Sequence, residues 1–167
     1  PRLYLLLILG GFQGVLGWYM VKSGLVDDPN VSQYRLTAHL GMAVFIYSLI
    51  LWTVFDLSLN YNHAIRSRIK WMSSTLTLLI FLMILSGGLV AGTRAGIPFP
   101  TWPLMGDTFI PPQIYSMNPS WLSAFEDMAT IQFNHRMFAY LLTIFIVIFA
   151  IILLRSNVPR FLKNGTT

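Results

Sequence analysis

Two stretches place ionisable side chains at the mouths of apolar runs: VSQYRLTAHLG at 31–41 and TIQFNHRMFAY at 130–140. The first carries Arg35 and His39. The second carries His135 and Arg136, with Gln132 three residues before the histidine. Ionisable groups are costly in hydrocarbon, so such placements point to function. On a helix Arg35 and His39, at i and i+4, share a face. Arg136 follows His135 directly and points about 100° away, whereas Gln132 shares the histidine's face. Haem uses a neutral imidazole at the edge of a bundle with a cation nearby. The imidazole is an axial ligand to iron, arginines meet the propionates, and small residues such as Ala38 and Gly41 let a macrocycle lie close. The plain alternative is a histidine bonded to a helix carbonyl or a serine, with no metal. Two histidines at matched depth, each with an arginine, favour haem. Arg136 keeps two readings, propionate partner or a side chain that snorkels to the headgroups. His63, in a basic loop, is read as structural.

The elements that must hold these residues are membrane spans. The chain is 55% hydrophobic and 10% charged, with a mean hydropathy of +0.64, against about 25% charged in soluble domains. About 20 helical residues cross the hydrocarbon core. Four apolar runs are long enough: 3–21, 36–57 with Asp56 at its far end, 71–92 and 131–154. Each must be a helix, because lipid offers no partner to an open backbone. The fold class is all-α integral membrane.

The loops set the orientation. Residues 58–70 and the tail from Arg155 hold six Lys and Arg and no acid, and Arg2 joins the same face. The opposite face holds Lys22, Arg35, Arg94 and Arg136. The positive-inside rule puts both ends inside and the loops 22–35 and 93–130 outside. The net charge of +5 is thus an orientation signal; the basic residues form no face for nucleic acid. The outer loop 93–130 holds six of the nine prolines, Trp102, Trp121 and three acids, of which Glu126 and Asp127 suit a helix N-terminus. The chain opens at Pro1 inside an apolar run, as a segment of a longer protein would.

Glycines mark where backbones, or a backbone and a flat ligand, come close. Gly10 and Gly14 read G-x-x-x-G, and LGGFQGVLG is weakly echoed by LSGGLVAG. Cysteine is absent, so disulfides, thiolate metal sites and cysteine nucleophiles are excluded. No nucleophile motif, phosphate loop or catalytic pair of acids is visible. The residues alone reach a membrane helical bundle that binds haem.

LGGFQGVLGWYMVKSGL, VSQYRLTAHLG, GGLVAGTRAG with TWPLMGDTFIP, and IQFNHR together resemble the haem A synthase family in order and spacing. The resemblance implies an eight-helix protein of two four-helix bundles, of which this chain is helices three to six. It implies that each half uses two histidines, the N-terminal half for haem O as substrate and the C-terminal half for a haem b cofactor. His39 would then serve the haem O iron and His135 the haem b iron, with Arg35, Arg136 and Gln132 in the binding sites. The family's glutamate three residues before the first histidine of the N-terminal half is matched before His135 by Gln132. The catalytic acid would thus lie outside this chain. The reaction implied is oxidation of a haem O methyl group to the formyl of haem A, for cytochrome oxidase assembly. The resemblance also implies a haem O synthase and an electron donor such as ferredoxin as partners, and a bacterial plasma or mitochondrial inner membrane; it leaves a homo-oligomer open.

Two other readings compete. A b-type cytochrome subunit would clasp one haem between both histidines and need no catalytic acid. A structural or transport bundle would merely pack them.

Overall fold

The computed structural model describes residues 2–22, 31–58 and 67–156. Asp27, Asp28, His63 and the basic residues Arg66, Arg160 and Lys163 lie outside the described residues. Four long helices account for the apolar runs: α1 (Arg2–Lys22), α2 (Gln33–Ser58), α3 (Ser67–Thr93) and, after the short α4 (Ser123–Glu126), α5 (Met128–Arg155). Each is long and apolar enough to cross a membrane. Each also runs past the apolar stretch that marks it, α2 beginning at Gln33 and α3 at Ser67. The helical hydrogen-bond ladder does not stop where hydrocarbon gives way to headgroups, so polar interfacial residues extend it.

Large apolar side chains stand exposed on all four long helices, among them Leu3, Trp18, Leu57, Trp71 and Leu141. In water such surfaces would be an aggregation hazard; in a bilayer they face the solvent that suits them. The chain is an integral membrane protein. Four helix hydroxyls are satisfied locally, as suits lipid: Ser48 donates to the Val44 carbonyl, Thr53 to Leu49, Thr77 to Ser73 and Thr143 to Ala139.

α1 packs on α2, α2 on α3, and α3 on α5, so α3 is shared between α2 and α5. Glycine sets the α2–α3 contact. A Cβ on Gly88 would meet Thr37 Oγ1 at 2.8 Å, one on Gly92 the Gln33 Cα at 2.5 Å, and one on Gly41 the Leu85 Cδ2 at 2.7 Å. Gly41 is therefore a packing residue against α3 and not the macrocycle neighbour that its place beside His39 suggests. On α1, Gly10 and Gly14 meet nothing within 4 Å. The G-x-x-x-G spacing that closes a helix pair here is Gly88/Gly92, and Gly10/Gly14 closes none among the described residues.

α3 ends in a Schellman turn. Arg94 adopts a left-handed φ of 56°; its N–H reaches the Ala91 carbonyl at 3.2 Å, and the Ala95 N–H reaches Val90 at 3.0 Å. Ala95 is fully buried beneath the turn. The segment 94–127, termed the outer segment after the side of the membrane expected for it, then folds back over the helix ends. A tight turn at Gly106 (φ 73°) pairs Met105 with Thr108, and a 3-10 turn at Ser120–Leu122 leads into α4. Asp127 caps α5 by accepting from the Thr130 N–H at 2.7 Å. Glu126 does otherwise than expected. It accepts from Tyr34 Oη and, at 2.9 Å, from Gln33 Nε2, tying the outer segment to the start of α2.

Candidate functional site

The two histidines sit at matched depth, each about two helical turns inside its own helix, a turn deeper than the apolar boundaries alone suggest. They do not share a seam. His39 leaves α2 toward α1: a Cβ on Gly17 would lie 3.1 Å from its Cε1. His135 leaves α5 toward α3: a Cβ on Gly87 would lie 3.5 Å from its Cε1. Each imidazole thus lies against a glycine of the preceding membrane helix, where the absence of a side chain leaves room for a ring. The echo between LGGFQGVLG and LSGGLVAG has this physical content: both segments supply a bare backbone to a histidine.

The polar partners differ between the seams. In the α1–α2 seam, Gln13 donates its amide to the His39 carbonyl at 3.0 Å, and the same nitrogen lies 3.5 Å from His39 Nε2. Gln13 Oε1 and His39 Nδ1 are buried without hydrogen-bond partners. In the α3–α5 seam, Ser86 Oγ lies 2.7 Å from His135 Nδ1. Nothing in the sequence marked Gln13 or Ser86, since each meets its histidine only through helix packing. The one available signal was their place beside the glycines.

The other expected residues divide. Arg35 stands near the start of α2, in the α1–α2 seam, its guanidinium 5.9 Å from the centre of the Tyr19 ring. Arg136 reaches outward. It donates to the Phe99 carbonyl at 2.7 Å and to the Leu104 carbonyl at 3.0 Å, pinning the outer segment to α5. Gln132 is 9% exposed, and its Oε1 has no hydrogen-bond partner. A buried amide oxygen without a donor is costly, so the site calls for a polar partner there.

These residues fit haem. Among the described residues no three His, Cys, Asp or Glu converge into a metal cage. Haem iron needs only one or two protein ligands, because the porphyrin supplies the other four. The orphaned polar atoms, Gln13 Oε1 and His39 Nδ1 in one seam and Gln132 Oε1 on the His135 face in the other, suit a polar-edged ligand.

The sequence model of the cytochrome oxidase assembly protein family COX15-CtaA matches residues 1–166. The chain belongs to the COX15-CtaA family. It is 49% identical over 147 residues to a haem A synthase of Nitrosospira multiformis, covering 85% of this chain and 41% of that one. It is 48% identical over 147 residues to the haem A synthase of Parvibaculum lavamentivorans (88% and 43% covered), and 41% identical over 158 residues to that of Bradyrhizobium diazoefficiens (93% and 44%). The chain therefore spans about two fifths of the length of these COX15-CtaA relatives. No solved structure matches it.

Proposed function

We propose that this chain is the central membrane part of a haem A synthase, an oxidoreductase that converts the methyl group of haem O to the formyl of haem A for cytochrome oxidase assembly. The observation that carries the reading is the placement of His39 and His135 in separate helix seams, each against its own glycine. A single-haem cytochrome needs both imidazoles on one iron, and here the α2–α3 contact separates the two seams. The relatives' name, haem A synthase, supports the product.

In this reading the protein has eight helices in two four-helix bundles. α1 and α2 belong to the half that takes haem O, and α3 and α5 to the half that holds haem b. Both ends of the chain face the inside. His39 is the ligand to the haem O iron and His135 the ligand to the haem b iron. When bound, haem supplies the redox chemistry, and the protein orients and tunes it. Arg35 stands at the outer end of its seam, where a propionate would emerge. Arg136 contributes through the outer segment that it fixes over the α3–α5 seam. Gln132 presents a neutral amide beside His135, as suits a site that holds cofactor; the catalytic acid belongs to the other half. The partners are a haem O synthase and an electron donor such as ferredoxin. The relatives are bacterial, which supports the plasma membrane.

The test is a paired substitution in the full-length protein, co-expressed with a haem O synthase. Haem b is read by pyridine haemochrome and haem A by extraction and chromatography. His135→Ala should lose haem b. His39→Ala should keep it and lose haem A output. Equal loss of haem b in both variants, with the protein still inserted, would favour the single-haem cytochrome. Unchanged haem A in His39→Ala would remove His39 from the site.

A further inference from the structure

Ser86 has one proton and two claims on it. Its Oγ lies 2.8 Å from the Met83 carbonyl on its own helix and 2.7 Å from Nδ1 of His135 on α5. A hydroxyl donates one hydrogen bond and accepts through its lone pairs. Helical serines return that hydrogen to the carbonyl a turn back, and the Met83 geometry is of this kind. The Met83 sulfur, at 3.8 Å, is a weaker acceptor on the same side. With its hydrogen committed to Met83, Ser86 presents lone pairs to His135, so the hydrogen between them belongs to Nδ1. The imidazole is then the Nδ1–H tautomer, and the lone pair on Nε2 is left for a ligand.

We propose that Ser86 is a positioning residue for His135: it fixes the tautomer and the ring plane in which Nε2 is offered to the haem iron. The inference rests on the haem reading above and deepens it. A second feature holds the same ring. Gly87, next in the chain, leaves the ring's Cε1 edge flush with the α3 backbone, at van der Waals range of where a Cβ would stand. One residue thus sets the hydrogen bond and its neighbour the clearance, and both ride on a single turn of α3.

The other histidine is held more loosely. Nδ1 of His39 is buried without a partner, and its Nε2 has only a long 3.5 Å contact to the Gln13 amide nitrogen, which also donates to the His39 carbonyl. The difference matches the two tasks. A resident cofactor is served by a ligand held rigidly in one state. A substrate that must enter as haem O and leave as haem A is served by a ligand that is not locked.

Donation from Nδ1–H makes the imidazole a stronger base toward iron, which favours the ferric state. Removing the acceptor should therefore raise the haem b midpoint potential and loosen the haem. Outer partners of this kind are worth about 10- to 100-fold in metal affinity. The experiment uses the full-length protein purified with its haem and carrying Ser86→Ala, Ser86→Thr, Ser86→Cys or His135→Ala. Haem b transfer to apomyoglobin and the midpoint potential are measured together. Ser86→Ala should release haem b about tenfold faster and at a raised potential. Ser86→Thr, which keeps the hydroxyl, should restore both, and Ser86→Cys should fall between. A packing role alone would not let threonine restore the potential. Wild-type retention and potential in Ser86→Ala or, if that variant inserts poorly, in Ser86→Cys would overturn the inference. Loss of haem b in His135→Ala alongside that result would leave the haem A synthase reading standing. Full haem b in His135→Ala would overturn both.

Discussion

A methyl group placed on Gly17 would stand 3.1 Å from Cε1 of His39. That separation is tighter than ordinary carbon contact, so alanine at 17 must move the imidazole by a few tenths of an ångström. Displacements near 1 Å can cost about 100-fold in rate. Gly17→Ala in the full-length protein should therefore lower haem A output by up to about tenfold, and Gly17→Leu should abolish it. Haem b content should stay at the wild-type level, because His135 lies against Ser86 and Gly87 of α3. Full haem A output from Gly17→Leu would show that His39 does not work from this seam.

The glycines also predict a contrast in stability. Alanine at Gly92 would drive its Cβ to 2.5 Å from the Gln33 Cα, a backbone atom that cannot turn aside. Overpacking of this kind costs about 1–3 kcal/mol. Alanine at Gly10 meets nothing within 4 Å among the described residues. Thermal inactivation in detergent should separate the two variants, Gly92→Ala melting below the wild type and Gly10→Ala with it.

Asp127 holds the start of the helix that carries His135. Its carboxylate accepts from both the N–H and the hydroxyl of Thr130, and the Thr130 oxygen accepts from the Tyr115 N–H at 3.0 Å. Thr130 is fully buried. Asp127→Ala removes the cap, worth about 1 kcal/mol, and leaves buried donors without an acceptor. Limited proteolysis between 97 and 118 should speed up in this variant. Arg136→Ala should speed it too, by releasing the carbonyls of Phe99 and Leu104. Digestion at the wild-type rate in both would mean that the outer segment is held elsewhere.

The orientation is testable with one cysteine at a time, since the chain has none of its own. Ser67 opens α3, and Ser116 lies in the segment between α3 and α4; the proposed orientation puts the first inside and the second outside. Ser67→Cys and Ser116→Cys should react with an impermeant maleimide from opposite sides of sealed vesicles. Reaction from the same side would refute the assignment of inside and outside.

The spans were legible in the sequence because they answer to local quantities: hydropathy over about 20 residues and the length that crosses a bilayer. His39 and His135 were legible for the same reason, since an imidazole in hydrocarbon stands out against every neighbour. The α5 cap at Asp127 was marked by an acid before an apolar run. What lies across from each residue was not legible. Gly10/Gly14 and Gly88/Gly92 have the same spacing, yet only the second pair closes a helix contact. Arg136 adjoins a histidine in sequence but spends its fork on loop carbonyls 32 and 37 residues away. Ser86 reads like any helix serine until α5 brings His135 to it. A helix presents every face to a one-dimensional pattern at once, and in lipid an apolar face carries no mark of whether it meets acyl chains or another helix. Only packing chooses the face, so the sequence alone determined the helices and the candidate ligands, and the tertiary structure decided that the two imidazoles lie in separate seams.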